Sequence, residues 1–476
     1  MNTTRRAWAL LTVSLATFMT YLDNNIVNVA IPAIQRDLGL TTSGLEWVVS
    51  GYILAFAGLL LAGGRLGDIF GLRRLFLLGL GVFTLASLAA GLSGDVDVLV
   101  ASRVLQGVGA ALVTPTTLAI ISAIYPDAKE RTAAIGIWSA VGALALAVGP
   151  LLGGLISQHL DWGWIFYING PVGLVTGVLA VRSIPADTAR VRRSIDTPGV
   201  IASAVTLLAL TFALIEGPDK GWTATPIVAG FVVAAVAALV FVALEQRSAE
   251  PMVDVALFRN RIFSGGIVAI VMWGFGLFGI YFFTSLYLQG VLGFSPTEAG
   301  AAFVPMALLM ATGAILAERV AARVGAHRSV AAAMFLMAAG IASVSLLGRD
   351  ASYLSLMPSF ALIGVGGGLS VPLTAMIIGA MPVNQAGVAS GIFNAAREVA
   401  GLLGITVIGA ILTARRTADL HAGSTPVDAF LGGYRAGLLV AGVLVAAGGV
   451  AAWAALRNAP RQPGVPEVAP EFAIVA

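Results

Sequence analysis

The sequence of 476 residues is 58% hydrophobic and only 11% charged, with a mean hydropathy of +0.94. Because a soluble domain carries about a quarter charged residues, this composition excludes a water-soluble globular protein. The absence of cysteine excludes disulfides and thiolate metal sites, the three histidines are too scattered to form a metal site, and the net charge of +3 does not indicate nucleic-acid binding.

Apolar runs of about 20 residues recur along the chain, each long enough to cross a membrane. Backbone groups in lipid must form their hydrogen bonds internally, so these runs are predicted to be helices. The alternating ten-residue segments of an outer-membrane β-barrel are absent from the sequence. The sequence predicts an all-α membrane protein with fourteen transmembrane helices, at residues 8–31, 44–64, 75–93, 97–118, 132–157, 163–182, 197–215, 225–244, 262–289, 297–317, 329–347, 352–376, 386–412 and 433–456.

The basic residues predict the orientation of these helices. With the N-terminus inside, 19 of the 27 lysines and arginines fall in predicted cytoplasmic segments and 6 in outer segments. The positive-inside rule describes a bias of this sign. Arginine outnumbers lysine by 25 to 2, a usage typical of a high-GC bacterium. We therefore expect a multi-pass protein of the bacterial cell (inner) membrane with both termini in the cytoplasm.

Two short sequence matches indicate an internal repeat. Gly71 matches Gly325 at an offset of 254, and Gly136-Ile137 matches Gly391-Ile392 at an offset of 255. A duplication predicts a six-helix bundle at 8–182, two inserted helices at 197–244, a second six-helix bundle at 262–456 and a disordered cytoplasmic tail at 460–476. Two six-helix halves around a central cavity support alternating access.

Four local motifs resemble one family. Residues 64–74 match the G-x-L-x-D-x-x-G-x-R-R signature of the major facilitator superfamily, and 99–110 and 149–154 resemble its fourth-helix and antiporter-associated fifth-helix motifs. Residues 22–32 resemble the first-helix motif of its fourteen-helix drug/proton antiporter branch, with Asn25 where that branch usually has threonine. The resemblance covers residues 8–456 and implies the major facilitator fold and drug efflux.

Asp23 and Arg103 are intramembrane charges that the predicted helices place at a similar depth. A charged side chain inside a membrane costs about 2.5–3.5 kcal/mol or more and needs a partner, a proton or a water-filled cavity. We predict a role for this pair in proton coupling; a static ion pair that fixes helix packing is the alternative.

Arg397 and Glu398 form a second intramembrane pair, for which we also predict proton coupling. Adjacent helical residues point about 100° apart, so at least one of them is expected to face the cavity. The family often has glutamine at the second position, so Glu398 departs from the pattern. A packing role is the alternative. Glu216, at the end of the seventh predicted helix, is expected to be a solvated helix terminus.

Gating residues are predicted in two of the motifs. Glycines allow tight turns and close helix packing, a proline bends a helix, and the family's charged loop holds the cytoplasmic side shut. Topogenic arginines and generic packing are the alternatives. The candidates are Gly64, Asp68, Gly71, Arg73, Arg74, Gly149, Pro150, Gly153 and Gly154.

A pocket for lipophilic compounds needs large apolar side chains with few polar groups. Aromatic residues near helix ends are more often interfacial anchors, so only some of the candidates are expected to touch substrate. The predicted substrate-binding residues are Asn24, Asn28, Trp47, Tyr52, Trp138, Met272, Trp273, Phe278 and Phe282.

The sequence lacks a nucleotide-binding loop, so transport must use an ion gradient or run downhill. We expect no cofactor, a proton gradient as the energy source, and a monomer in the lipid bilayer that exchanges protons for a lipophilic small molecule. A proton-coupled importer or symporter on the same fold is the main alternative. A non-transport membrane protein is disfavoured by the missing catalytic motifs and the paired halves.

Overall fold

A computed structural model describes residues 2–186, 196–248, 251, 253–381 and 386–457, apart from the side chains of residues 68, 128, 129, 132, 143, 146, 147, 386 and 387. The predicted tail at 460–476 lies outside these described residues. Within them, the secondary structure is helical and no strand is present. The α-helices are α1 (Thr3–Leu38), α2 (Thr42–Phe70), α3 (Leu72–Gly91), α4 (Val96–Ile124), α5 (Ala128–His159), α6 (Trp164–Tyr167), α7 (Asn169–Ser183), α8 (Thr197–Lys220), α9 (Thr225–Arg247), α10 (Arg261–Gly290), α11 (Pro296–Ala302), α12 (Val304–Val324), α13 (Ala326–Val344), α14 (Tyr353–Leu369), α15 (Pro372–Gly379), α16 (Ala386–His421) and α17 (Pro426–Leu456).

Twelve segments of the described chain are long and apolar enough to cross a membrane. The short helices α6, α11 and α14 each continue into the following helix, and each such pair makes one segment. The chain is therefore a multi-pass membrane protein. The predicted total of fourteen exceeds this count by α1 and α5. α1 carries the polar stretch Asp23–Asn28, and the described apolar part of α5 is only Ala133–Gly142.

Helix pairing follows the same order in two parts of the chain. In the N-half (α1–α7), the packed pairs are α1 with α5, α2 with α4, α3 with α4, α1 with α7 and α3 with α7. In the C-half (α10–α17), they are α10 with α16, α12 with α14, α13 with α14, α10 with α17 and α13 with α17. The two halves thus repeat one arrangement, although the boundaries of the domains remain a prediction.

Gly71 and Gly325 occupy equivalent turns in the two halves. Gly71 joins α2 to α3 with φ 96° and ψ 140°, and Gly325 joins α12 to α13 with φ 91° and ψ 135°. A positive φ of this kind favours glycine, because a side chain would be strained there. The first of the two sequence matches therefore marks the same backbone geometry in each half.

The linking pair, α8 and α9, packs mainly against itself. α8 also lies against α2 of the N-half and α16 of the C-half, whereas α9 has no comparable contact with either half among the described residues. α8 is therefore the linking helix that touches both halves.

Contacts between helix ends define two sides of the molecule. On the near side, which holds the N-terminus, Arg5 donates to the Ser183 carbonyl oxygen at 3.1 Å. On the far side, the Trp162 indole donates to Asp37 at 2.8 Å, and the Tyr167 hydroxyl donates to the Gly91 carbonyl oxygen at 2.7 Å.

Candidate functional site

Asp23 lies at the centre of a buried polar cluster in the N-half. Arg103 Nη1 donates to Asp23 Oδ2 at 2.5 Å, and both side chains are fully buried. Gln106 and Asn169 each donate a side-chain amide hydrogen to Asp23 Oδ1 at 2.9 Å. Asn169 also donates to Ser87 Oγ at 2.9 Å. The carboxylate is therefore held by three donors from α4 and α7.

Arg103 has its own set of contacts beyond Asp23. Its Nε donates to the Val48 carbonyl oxygen at 3.1 Å, and its guanidinium lies 4.4 Å from the centre of the Tyr52 ring. The Nη2 atom is buried without a hydrogen-bond partner in the described structure. A methyl group on Gly107 would overlap the Tyr52 carbonyl oxygen, so this glycine of the fourth-helix motif allows α4 to approach α2 closely at the guanidinium.

Every residue of this cluster belongs to the N-half. A rigid rocking motion between the halves would therefore leave the Asp23–Arg103 pair intact. The sequence analysis predicted Asp23 and Arg103, and Gln106 lies in the fourth-helix motif, whereas Asn169 and Ser87 lie outside the four motifs. A lone amide among the apolar residues of the sixth predicted span could have drawn attention to Asn169, but its bond to Asp23 could not be predicted.

Arg397 and Glu398 form the second pair, in α16. Arg397 Nη2 donates to Glu398 Oε1 at 3.1 Å and to the Tyr21 hydroxyl of α1 at 3.3 Å. The Arg397 side chain is 25% exposed, whereas that of Glu398 is 5% exposed and its Oε2 atom has no hydrogen-bond partner among the described residues. The arginine side chain is long enough to reach its neighbour, so the two groups pair although adjacent helical residues point about 100° apart. The pair lies at the boundary between the halves.

Several further polar atoms are buried without a described partner on helices that meet between the halves. They are Asn28 Oδ1 of α1, Trp138 Nε1 of α5, Trp273 Nε1 of α10 and Glu398 Oε2 of α16. These helices pack as α1 with α5, α10 with α16 and α1 with α10. Unsatisfied donors and acceptors of this kind suit water or the polar groups of a ligand. Four of the predicted residues, Asn24, Trp138, Met272 and Phe278, are partly exposed on the same helices.

Three of the predicted substrate residues have other surroundings. The Trp47 indole donates to Glu216 Oε1 of α8 at 2.9 Å. The Tyr52 ring packs against Arg103 in the buried cluster, and Phe282 is fully buried. Glu216 is also less solvated than its position suggested, because its side chain is 18% exposed and pairs with Lys220 at 3.1 Å. The structure thus does not bring all the predicted substrate residues to one surface.

The fifth-helix motif lies where α5 contacts α1 and the C-half. Gly149 packs against Asn25, and a methyl group on Gly153 would overlap the Ile26 carbonyl oxygen. A methyl group on Gly154 would overlap the Pro296 carbonyl oxygen of α11. On the other side of this contact, Gly300 is equally close to the Pro150 carbonyl oxygen. Small residues therefore let α5 and α11 touch on the far side.

Two hydrogen bonds join the halves near this contact. Gln289 Nε2 donates to the Val29 carbonyl oxygen at 2.9 Å, and the Thr297 backbone N–H donates to Gln158 Oε1 at 3.1 Å. Together with the packing of α5 on α11, they hold the two halves together on the far side in this conformation.

The loop 64–74 lies on the near side. Arg73 donates to the Val181 carbonyl oxygen at 2.8 Å, and Arg65 donates to the Pro251 carbonyl oxygen. Gly64 lies beside Pro115. The Asp68 side chain lies outside the described residues. Arg74 is exposed, although it too has a partner. Of the predicted gating residues in this loop, Arg73 thus connects the start of α3 to the end of α7 on the near side.

Comparison with known proteins gives the family. The model of the Major Facilitator Superfamily matches residues 13–405. The chain belongs to the major facilitator superfamily. It is therefore a transporter of small molecules and not an enzyme, which confirms both the predicted family and the predicted class.

Relatives within the superfamily are named for drug resistance. The puromycin resistance protein pur8 of Streptomyces alboniger is 36% identical over 461 residues, covering 94% of this chain and 91% of the relative. The tetracenomycin C resistance and export protein of Streptomyces glaucescens is 38% identical over 416 residues, covering 86% of this chain and 77% of the relative. The predicted grouping with drug-efflux members of the superfamily is confirmed.

A solved transporter structure shares the fold. It is a bacterial homologue of the human lysosomal transporter Spinster, in an inward-facing and occupied conformation, with a TM-score of 0.67 at 16% identity. The match covers 98% of this chain and 100% of that one. At this identity the likeness concerns the fold alone.

Proposed function

We propose that this protein exports lipophilic, antibiotic-like compounds from a bacterial cell in exchange for protons, by alternating access. The observation that carries the proposal is the Arg397–Glu398 pair, whose bond to Tyr21 crosses between the halves. The Glu398 carboxylate is buried with one oxygen unpartnered, so a change in hydration at this boundary changes the cost of its charge. The resistance and export names of the relatives support an exported antibiotic as cargo.

We propose that Glu398 binds and releases the exchanged proton, and that Asp23 has a supporting, structural role. Asp23, Arg103 and Glu398 are all within electrostatic reach of Tyr52, so the two pairs have this side chain as a common neighbour. Asp23 is held by three donors of its own half, so its release needs a local rearrangement. Glu398 faces the boundary that rocking of the halves opens and closes. This assignment favours Glu398 over Asp23 as the proton carrier.

The proposed cargo surface lies between α1, α5, α10 and α16. The indole N–H groups of Trp138 and Trp273 and the side-chain Oδ1 of Asn28, which have no partner among the described residues, offer a few polar contacts among apolar side chains. Lipophilic compounds need such a surface, with sparse polar groups that orient the ligand. Arg397, with its partly exposed side chain, adds a positive charge at the edge of this surface.

We also propose that α1 and α5 cross the membrane and that the near side is cytoplasmic. α1 has 36 residues and α5 has 32, which gives lengths of about 54 and 48 Å at 1.5 Å per residue, enough to cross a membrane. With both included, the protein has fourteen transmembrane helices. The near side is then cytoplasmic and holds both termini, in the inner membrane of a bacterium, and the transporter works as a monomer without a cofactor.

Expression in an efflux-deficient bacterium tests the proposal. Cells that express the protein are expected to tolerate a higher concentration of an exported compound and to accumulate less of it. Puromycin and tetracenomycin C are the first compounds to try. A protonophore should abolish the difference in accumulation. If expression raises accumulation instead, the importer alternative is correct. If the protonophore has no effect on active export, the coupling to protons is wrong.

A further inference from the structure

Glu46 is a buried carboxyl group to which none of the motifs assigns a role. It lies one turn inside α2 on the far side, and only 2% of its surface is exposed. Its carboxylate packs on Gly409 of α16, where an added methyl group would overlap it. Among the described residues no hydrogen bond or ion pair to Glu46 is present, although its carboxylate oxygens are not among the fully inaccessible side-chain atoms. A buried acid without a donor is unusual and calls for a physical explanation.

The charges nearest to Glu46 are mostly negative. Glu216 and Asp219 of α8 both act electrostatically on the Glu46 carboxyl group. Glu216 is partly balanced by Lys220 and by the Trp47 indole. No described cation pairs with Glu46 itself.

Other charged groups on the helices that pack against α2 form no ion pair with Glu46 in the described structure, although Arg416 of α16, two turns from Gly409, has a buried Nε atom without a described partner. On α16, Arg415 pairs with Asp419 at 3.3 Å. Arg416 lines a far-side cavity of about 270 Å³ beside Thr42 and Leu45. The remaining groups are Arg397 and Glu398 of α16, paired with each other; His421 in the last turn of α16; Arg103 of α4, bound to Asp23; Asp97 in the first turn of α4; Arg36 and Asp37 at the far-side end of α1; Arg5 and Arg6 at its near-side end; and Arg73 and Arg74 at the near-side end of α3.

Three elements meet at Glu46, and each belongs to a different part of the chain. α2 is in the N-half, α16 is in the C-half, and α8 of the linking pair touches both. Separation of the halves on the far side would pull Gly409 away from Glu46 and admit water. The junction of Glu46, Gly409 and Glu216, which we name the far-side latch, is therefore buried or hydrated according to the conformation.

We propose that Glu46 is a proton-binding site that controls this latch: the far side closes when Glu46 takes up a proton and opens when it releases one. An ionised carboxylate buried without a donor, beside other carboxylates, is costly, whereas the neutral acid fits the same space. Hydration in the open conformation removes that cost. The linking helix α8 takes part in this control, since its carboxylates favour the neutral form of Glu46.

The direction of the pH effect follows from this linkage. The closed conformation binds one more proton than the open one, so acidification favours closure and alkalinisation favours opening. For a single proton, the closed-to-open ratio changes by about tenfold per pH unit at most. The latch responds to protons without any drug, so it does not depend on the proposed export function.

Distance measurements between spin labels test the latch directly. The chain contains no cysteine, so cysteines at Ser43 of α2 and Ala414 of α16 can be labelled without removing others. In lipid nanodiscs without drug, pulsed electron resonance should show two distances whose populations change with pH from about 5 to about 9. The shorter distance should dominate at low pH.

Three variants and one control complete the test. Glu46→Gln should keep the short distance at every pH, because it mimics the neutral acid. Gly409→Ala should favour the long distance, because its methyl group occupies the place of the carboxylate. The double variant Glu46→Ala with Gly409→Ala should close again and ignore pH. Glu318→Gln removes an exposed carboxylate on the near side and should behave as the parent protein.

Some results would overturn the proposal and leave drug export untouched. These are a parent protein whose distances ignore pH, a Glu46→Gln variant that keeps the parent pH response, and a Glu46→Gln variant that favours the long distance. If Glu46→Gln fails to fold, the double variant Glu46→Ala with Gly409→Ala is the deciding test. A double variant that does not restore the short distance contradicts the latch.

Discussion

Arg397 of α16 donates a hydrogen bond of 3.3 Å to the Tyr21 hydroxyl of α1, and this bond crosses the boundary between the two halves. The shorter Asp23–Arg103 bond of 2.5 Å lies wholly inside one half. In an alternating-access transporter the halves move relative to each other. One intramembrane ion pair therefore lies at the boundary that moves and the other lies inside one half, although the sequence presents them as similar.

Replacement of Glu398 by glutamine should uncouple transport. Glutamine keeps the size and polarity of the side chain but cannot exchange a proton. One proton moving through 100 mV can drive about a fifty-fold solute gradient, and this concentrating power should be lost while downhill movement of drug persists. Drug accumulation in energised inverted vesicles measures it. Glu318→Gln is the matched control, and a Glu398→Gln variant that still concentrates drug would refute the assignment.

Replacement of Asp23 by alanine should mainly destabilise the protein. It leaves Arg103 buried without its carboxylate, and breaking a buried pair in this way costs about 3–5 kcal/mol. Thermal unfolding in detergent should therefore shift to lower temperature. The double variant Asp23→Ala with Arg103→Leu should recover part of the loss, while Asp350→Ala, at an exposed loop position, should change little. A thermally stable Asp23→Ala variant would contradict a supporting role.

Replacement of Tyr21 by phenylalanine should weaken the bond between the halves. Loss of this hydrogen bond should cost the described conformation about 1 kcal/mol, which changes the balance of conformations about fivefold. The spin-label distance between Ser43 and Ala414 measures that balance. Tyr167→Phe removes a hydroxyl of the same kind that bonds to Gly91 inside the N-half, and its distances should match the parent. Equal effects of the two variants would show that the crossing bond is unimportant.

Replacement of Gly154 by alanine should open the far side. The added methyl group would overlap the Pro296 carbonyl oxygen and push α5 from α11. Reaction of a cysteine at Gln158 with a membrane-impermeant maleimide should become faster. Gly136→Ala in the same helix has open space around the new methyl group and serves as the control. An unchanged labelling rate for Gly154→Ala would show that this contact does not close the far side.

Much of the fold was predictable because membrane insertion forces apolar runs into helices, and the runs are visible in the sequence. The count was less secure where a helix combines apolar and polar segments. α1 includes three arginines, Asp23 and several asparagines, so a hydropathy criterion alone passes over it although it is 36 residues long. The repeat was predictable from Gly71 and Gly325, because only certain residues fit a positive φ.

The site was predictable where a charge stands alone in an apolar helix, as for Asp23, Arg103, Arg397 and Glu398. Partners were harder to predict, since Asn169 and Tyr21 approach from helices distant in sequence. Glu46 escaped notice because it stands close to the start of its helix, where an acid is ordinarily solvated. Its burial depends on Gly409, which is 363 positions away in the sequence. Long-range packing of this kind leaves no local pattern.

The most direct test of the account measures proton movement with the purified protein in liposomes. Vesicles that contain a pH-sensitive dye and a high internal concentration of drug should acidify inside as the drug leaves, and protein-free vesicles and vesicles with Glu398→Gln should not. Drug-dependent acidification in the parent alone is the predicted result. Drug efflux that leaves the internal pH unchanged, or that makes the interior more alkaline, would contradict exchange of drug for protons.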